Sequence, residues 1–183
     1  MPAVGNLLLS EPFMLDPGFM RSVVLLCEHH PEEGTMGYVL NQPTTLILSD
    51  LIQDIPNINF PIFIGGPVGH DAIHFIHRCD DRIPDGMDLG KGVFWGGNFE
   101  ALKILLEKDQ IASHEIKFFL GYSGWDPGQL DREMTENSWM VCTDYNPELV
   151  FVHESEPLWK EAVIAMGPKY AHVANFPIDP RMN

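Results

Sequence analysis

Positive charge is scarce in this chain. Its 183 residues hold 11 Lys and Arg against 26 Asp and Glu, a formal net charge of −15. Residues 1–60 contain a single base, Arg21. Binding to nucleic acid without sequence preference depends on Lys and Arg displacing counterions from phosphates, so this balance argues against it. Docking on an anionic membrane surface is disfavoured for the same reason. No recognisable helix-turn-helix, zinc finger or basic region is present. Cysteine is also sparse: Cys27, Cys79 and Cys142 lie far apart, with no CxxC pair. An odd, scattered set builds neither a disulfide framework nor a ribbon-type zinc site. Long apolar runs are missing as well. Val23–Cys27 has the length of a strand and cannot span a bilayer, and Leu7–Leu9 is too short for the core of a secretory leader. These absences lead us to expect a protein of the reducing cytoplasm with no membrane association.

What is present is an ordinary globular composition, 45 % hydrophobic, in a length suited to one domain. Apolar periodicity separates strands from helices. Strands are expected at Leu7–Leu9, Ser22–Glu28, Met36–Leu40, Pro61–Ile64, Ala72–His77, Val93–Trp95, Ile116–Leu120, Trp139–Cys142 and Leu149–Val152. His30-Pro31-Glu32-Glu33-Gly34 forms the turn of a hairpin. Helices are expected over Leu46–Ile52, over Asn98–Lys108 with Asn98 as cap, and after Asp126 with Pro127 in the first position. A last helix starts at Glu156-Pro157 and ends at Gly167-Pro168, and the tail beyond Phe176 has no periodicity. Hairpins mixed with crossovers imply an α+β fold: one domain over 1–183, a mixed sheet and packed helices.

Three glycine-containing segments could carry chemistry. Gly65-Gly66-Pro67 sits between strands and allows close backbone approach, as in an anion-holding nest or a packing turn. Gly96-Gly97-Asn98 precedes a helix N-terminus. Gly121-Tyr122-Ser123-Gly124-Trp125 lies between a strand and a helix. Ser123 invites a nucleophile reading, but the fifth position of the G-x-S-x-G elbow is Trp125 and no base is assigned to it. The histidines 29, 30, 70, 74 and 77 lack a ligand spacing that would gather them on one ion, and a structural role is favoured for them. No metal, cofactor or catalytic residue is implied.

Gly5-Asn6-Leu7-Leu8 with Ser10-x-Pro12, Phe19-x-Arg21-Ser22-Val23, Gly37–Pro43, Gly65–Val68, Gly121–Leu130 and Asn137-x-Trp139 form an ordered series over nearly the whole chain. That series resembles the YqgE/AlgH family. Departures are Gln42, where a base is frequent, and Ser123, where Ala is familiar. The resemblance implies a bacterial α+β protein without an established activity, carried under a transcriptional-regulator label. We therefore expect a non-enzymatic binding or regulatory protein that takes a protein partner or a small anionic ligand. The alternative is a hydrolase or other enzyme acting on a small anionic substrate. Candidate ligand-binding residues are Arg21, Asn41, Gly65, Gly66, Tyr122, Ser123 and Gln129, with the motif loops converging on one rim.

Overall fold

In a computed structural model, residues 1–14, 16–55, 59–153 and 156–176 are described. The sequence tail beyond Phe176 falls outside them. Along the chain run β1 (Leu7–Ser10), β2 (Val23–His30), β3 (Gly34–Val39), β4 (Pro43–Ile47), α1 (Leu48–Leu51), β5 (Pro61–Ile64), β6 (Val68–His77), β7 (Met87–Asp88) and β8 (Phe94–Trp95). Then follow α2 (Phe99–Glu107), β9 (Ile116–Trp125), α3 (Gln129–Thr135), β10 (Trp139–Cys142), α4 (Glu156–Ala165) and α5 (Pro168–Ala171), with 3₁₀ turns at Pro147–Phe151 and His172–Asn175.

The strands order as β10-β1-β2-β3-β9-β6-β8-β7. One edge of β9 pairs with β6, and its other edge is shared end to end. There β5 runs parallel to Phe118–Leu120, and β3 runs antiparallel to Ser123–Trp125. This parallel pair makes the sheet mixed, and the fold is α+β as expected.

Both faces of the sheet are covered, which explains why its central strands read as unbroken apolar runs. Leu7, Leu9, Val23 and Leu25 pack on one face with Leu158, Trp159, Ala162 and Val163 of α4. Leu8, Val24 and Leu26 alternate to the other face, under Leu130 of α3. The far end of that face carries Ile116 and Phe118 beneath Leu102, Leu105 and Leu106 of α2. Asn98 caps α2, accepting from Ala101 N–H at 3.0 Å.

Four local expectations are corrected. Leu149–Val152 is not a strand: Pro147–Phe151 forms a 3₁₀ turn, its start capped by Asn146 accepting from Glu148 N–H. Glycine at 121 and 124 reads as a turn, yet the strand runs on to Trp125 because Ser123–Trp125 ladder with β3 and Tyr122 pairs with β6. The helix that follows starts at Gln129 after Gly128, so Asp126 is not its cap and Pro127 is not its first residue. The strand β4 precedes α1 where a longer helix was expected, since Pro43–Ile47 pairs with β5. Among the described residues no helix is long and apolar enough to cross a membrane.

Candidate functional site

Gly65 and Ser123 meet at the junction where β5 gives way to β3 along β9. Gly65 N–H donates to Leu120 O at 2.8 Å, and Gly65 O accepts from Val39 N–H at 2.8 Å and from Ser123 Oγ at 3.0 Å. A side chain on Gly65 would collide with the Gly121 carbonyl and come within 2.7 Å of the Tyr38 ring. One on Gly66 would strike the Tyr122–Ser123 peptide. Close backbone approach therefore explains this glycine pair. The Gly65 N–H is spent on a strand carbonyl, and Ser123 is fully buried with its proton directed at a backbone oxygen.

Tyr122 is half-buried beside this junction, edge-on to His74 with ring centroids 6.2 Å apart. His74 Nδ1 lies 2.9 Å from the Tyr38 hydroxyl, whose oxygen accepts from Trp95 Nε1–H at 2.8 Å. That leaves the phenol proton for the imidazole. Burial holds His74 below the usual histidine range and Tyr38 above the usual phenol range, so the pair stays neutral at pH 7. His70 Nε2 donates to Gly66 O at 2.6 Å.

The other expected residues form separate local networks. Asn41 accepts from Val23 N–H at 3.0 Å and donates to Arg21 O at 2.9 Å, fastening the start of β2 to the end of β3. Arg21 lies 4.6 Å over the Trp159 ring and donates to Phe176 O at 2.7 Å. Gln129 accepts from Asp126 N–H at 2.9 Å at the start of α3. Gly65, Gly66, Tyr122 and Ser123 are thus brought together, Arg21 and Asn41 form a second pair, and Gln129 serves its own turn.

The histidines have structural partners where they are buried. His77 Nε2 donates to Gly96 O at 2.8 Å and its Nδ1 accepts from Cys79 N–H at 3.1 Å. That pattern requires the neutral ring, and burial depresses its proton affinity accordingly. Among the described residues no group of three His, Cys, Asp or Glu side chains is placed to hold a metal ion. All three cysteines are free and buried.

Sequence reasoning missed a cleft beside Tyr122. The β2–β3 register shifts between Leu26 and Glu28: Leu26 pairs with Gly37, and Glu28 pairs with Met36. Cys27 is the extra residue of this bulge. It remains in the core while Glu28 turns to line a cleft of about 320 Å³ with Glu33, His30, Met36 and Tyr122. Two acidic residues and a tyrosine therefore line one cavity, with no Lys or Arg among its lining residues. The sequence signal was available in the paired acids at 28 and 33, but a bulge leaves no mark in composition.

Comparison with known proteins places the chain. A family model described as AlgH-like matches residues 7–171. The "UPF0301 protein" of Cytophaga hutchinsonii is 40 % identical over 180 residues, covering 98 % of both chains. That of Chlorobaculum tepidum is 41 % identical over 179 residues, covering 98 % of this chain and 95 % of the relative. The solution structure of AlgH from Pseudomonas aeruginosa superposes with a TM-score of 0.73 at 26 % identity, covering 94 % of this chain and 93 % of that one. The crystal structure of a Corynebacterium diphtheriae protein shares the fold, with a TM-score of 0.78 at 22 % identity and coverage of 96 % and 93 %. The chain belongs to the AlgH-like family, a bacterial family without an assigned biochemical activity.

Proposed function

We propose that the protein is a non-enzymatic binding protein of the cytoplasm that docks a protein partner, taking a basic side chain of that partner into the cleft lined by Glu28, Glu33 and Tyr122. The observation that carries this reading is the bulge at Cys27, which puts Glu28 in register with Met36 and among the lining residues of a cavity bordered also by Glu33 and Tyr122. A Lys or Arg head entering there pairs with the carboxylates, and the Tyr122 ring adds a cation–π contact. The net charge of −15 favours a basic partner at longer range and speeds encounter with it. A regulatory action would then run through protein contact, in keeping with the case against direct DNA binding. Three free, buried cysteines fit the reducing compartment.

An enzyme reading finds less support. Ser123 is buried with its hydroxyl donated to Gly65 O, so it faces a backbone acceptor where a nucleophile needs a base. The docking proposal is tested by following backbone amide shifts during titration with a short Arg/Lys peptide. Saturable shifts at Glu28, Glu33, Met36 and Tyr122 support it. Shifts confined elsewhere, or equal shifts with a peptide carrying citrulline and norleucine in place of Arg and Lys, overturn it.

A further inference from the structure

Apart from the acidic cleft, Arg78 and two histidines line a second part of the surface. Two adjoining hollows of about 350 and 380 Å³ share His114, Phe151 and Val152 as lining residues. Arg78 borders one and His153 the other. The chain supplies these residues from the end of β6, from the approach to β9 and from the 3₁₀ turn at Pro147–Phe151. The Arg78 guanidinium lies 4.8 Å over the Phe151 ring. This cation–π contact occupies none of the guanidinium N–H donors, which stay available to an oxyanion. Among the described residues Arg78 has no carboxylate within ion-pair distance, the ion pairs found there being those of Arg82 with Asp81 and Glu115.

Lys117 reaches the groove's Val152 from the core side. It is 1 % exposed, donates from Nζ to Val152 O at 2.7 Å and lies 4.2 Å over the Phe63 ring. Val152 thus has the buried ammonium bonded to its carbonyl while it lines the groove.

We propose that this groove binds a small organic oxyanion, its charged group held by Arg78, His114 and His153 and its apolar body laid on Phe151 and Val152. The site is independent of the acidic cleft and stands or falls without it. Among the described residues the titratable groups lining it are Arg78, His114, His153 and Glu148, with Lys117 buried behind Val152 and Glu115 nearby and engaged by Arg82. Burial and the Lys117 charge both hold His153 below the ordinary histidine range. An arriving anion offsets that repulsion, so binding draws a proton onto the site and weakens as pH rises.

The test is calorimetric titration of the full chain with phenylphosphate, benzoate and inorganic phosphate at pH 6 and pH 8. Each is run in two buffers of different ionisation enthalpy. Saturable binding of phenylphosphate or benzoate, tighter at pH 6 and accompanied by proton uptake, supports the site; the tighter probe identifies the headgroup. Arg78→Gln and, at an exposed position outside the core, His114→Gln should each weaken binding on the order of tenfold, the scale of one charge-assisted hydrogen bond. Lys103→Gln, on the outer side of α2, should leave it within about twofold, the margin for a screened, distant charge. Absence of saturable binding by any probe overturns the proposal. So does equal loss in the Lys103 variant, or an affinity unchanged in both the Arg78 and His114 variants. Inorganic phosphate binding as tightly as phenylphosphate overturns the assignment of an apolar body.

Discussion

Lys117 donates its ammonium proton to the carbonyl of Val152 at 2.7 Å while only 1 % of its surface reaches solvent. One carbonyl and the face of Phe63 replace its hydration shell, and burial lowers its pKa from 10.5 to about 7. The unfolded chain then binds the proton across the interval between those values while the folded chain releases it. Stability is therefore fully present above about pH 10.5 and is lost as pH falls toward 7, with a slope of up to about 1.4 kcal/mol per pH unit. Lys117→Met should flatten that slope and gain stability over the parent at pH 6.5. Urea unfolding of both proteins at pH 6.5, 8 and 9.5 checks it; parallel pH dependences would contradict it.

Asn41, just beyond the end of β3, satisfies two backbone groups at the start of β2, the Arg21 carbonyl and the Val23 N–H. Asn41→Ala leaves the Val23 N–H at the buried start of β2 without its acceptor. The expected cost is about 2 kcal/mol, the scale of one buried unsatisfied donor. Urea denaturation measures the loss, and hydrogen exchange should show it as faster opening at Val23. A loss below about 0.5 kcal/mol would show that another group takes over the donor.

The Gly65–Ser123 contact separates packing from chemistry. Gly65 O keeps its bond from Val39 N–H when the serine hydroxyl is removed, so Ser123→Ala should cost only about 1 kcal/mol. Gly65→Ala forces a methyl group onto the Gly121 carbonyl and the Tyr38 ring and should cost about 3 kcal/mol. Thermal unfolding ranks the two, and the reverse order would refute this account of the junction. Neither change touches Glu28 or Glu33, and Ser123→Ala should retain peptide binding.

Local patterns were legible where local physics decides the structure. Asn98 announces α2 because an N-cap is a property of one residue and the turn after it. The apolar run at Val23–Cys27 announces a strand covered on both faces. Gly121–Trp125 misled because two glycines signal a turn in isolation, whereas here Gly121, at φ +70°, makes room for the His70 ring beside a continuing strand. Leu149–Val152 misled because a short apolar run fits a strand and a 3₁₀ turn equally. At the site level, Gly65, Gly66, Tyr122 and Ser123 were readable as two motifs that meet in space. Glu28 was not, because its direction depends on a one-residue register shift that only pairing with β3 defines. Arg78, His114 and His153 were hidden by sequence separation, each being unremarkable on its own segment.

Peptide affinity of the Glu28→Gln/Glu33→Gln variant measures the central claim most directly. Both substitutions keep side-chain size and remove the two carboxylates lining the cleft beside Tyr122. We predict at least tenfold weaker binding of the Arg/Lys peptide in a fluorescence titration at moderate salt, with the melting temperature held. An Asp131→Asn/Glu136→Gln control, carrying the same net-charge change elsewhere on the chain, should bind within about twofold of the parent. Equal weakening in both variants would reduce the interaction to general charge attraction and contradict the assignment of this cleft.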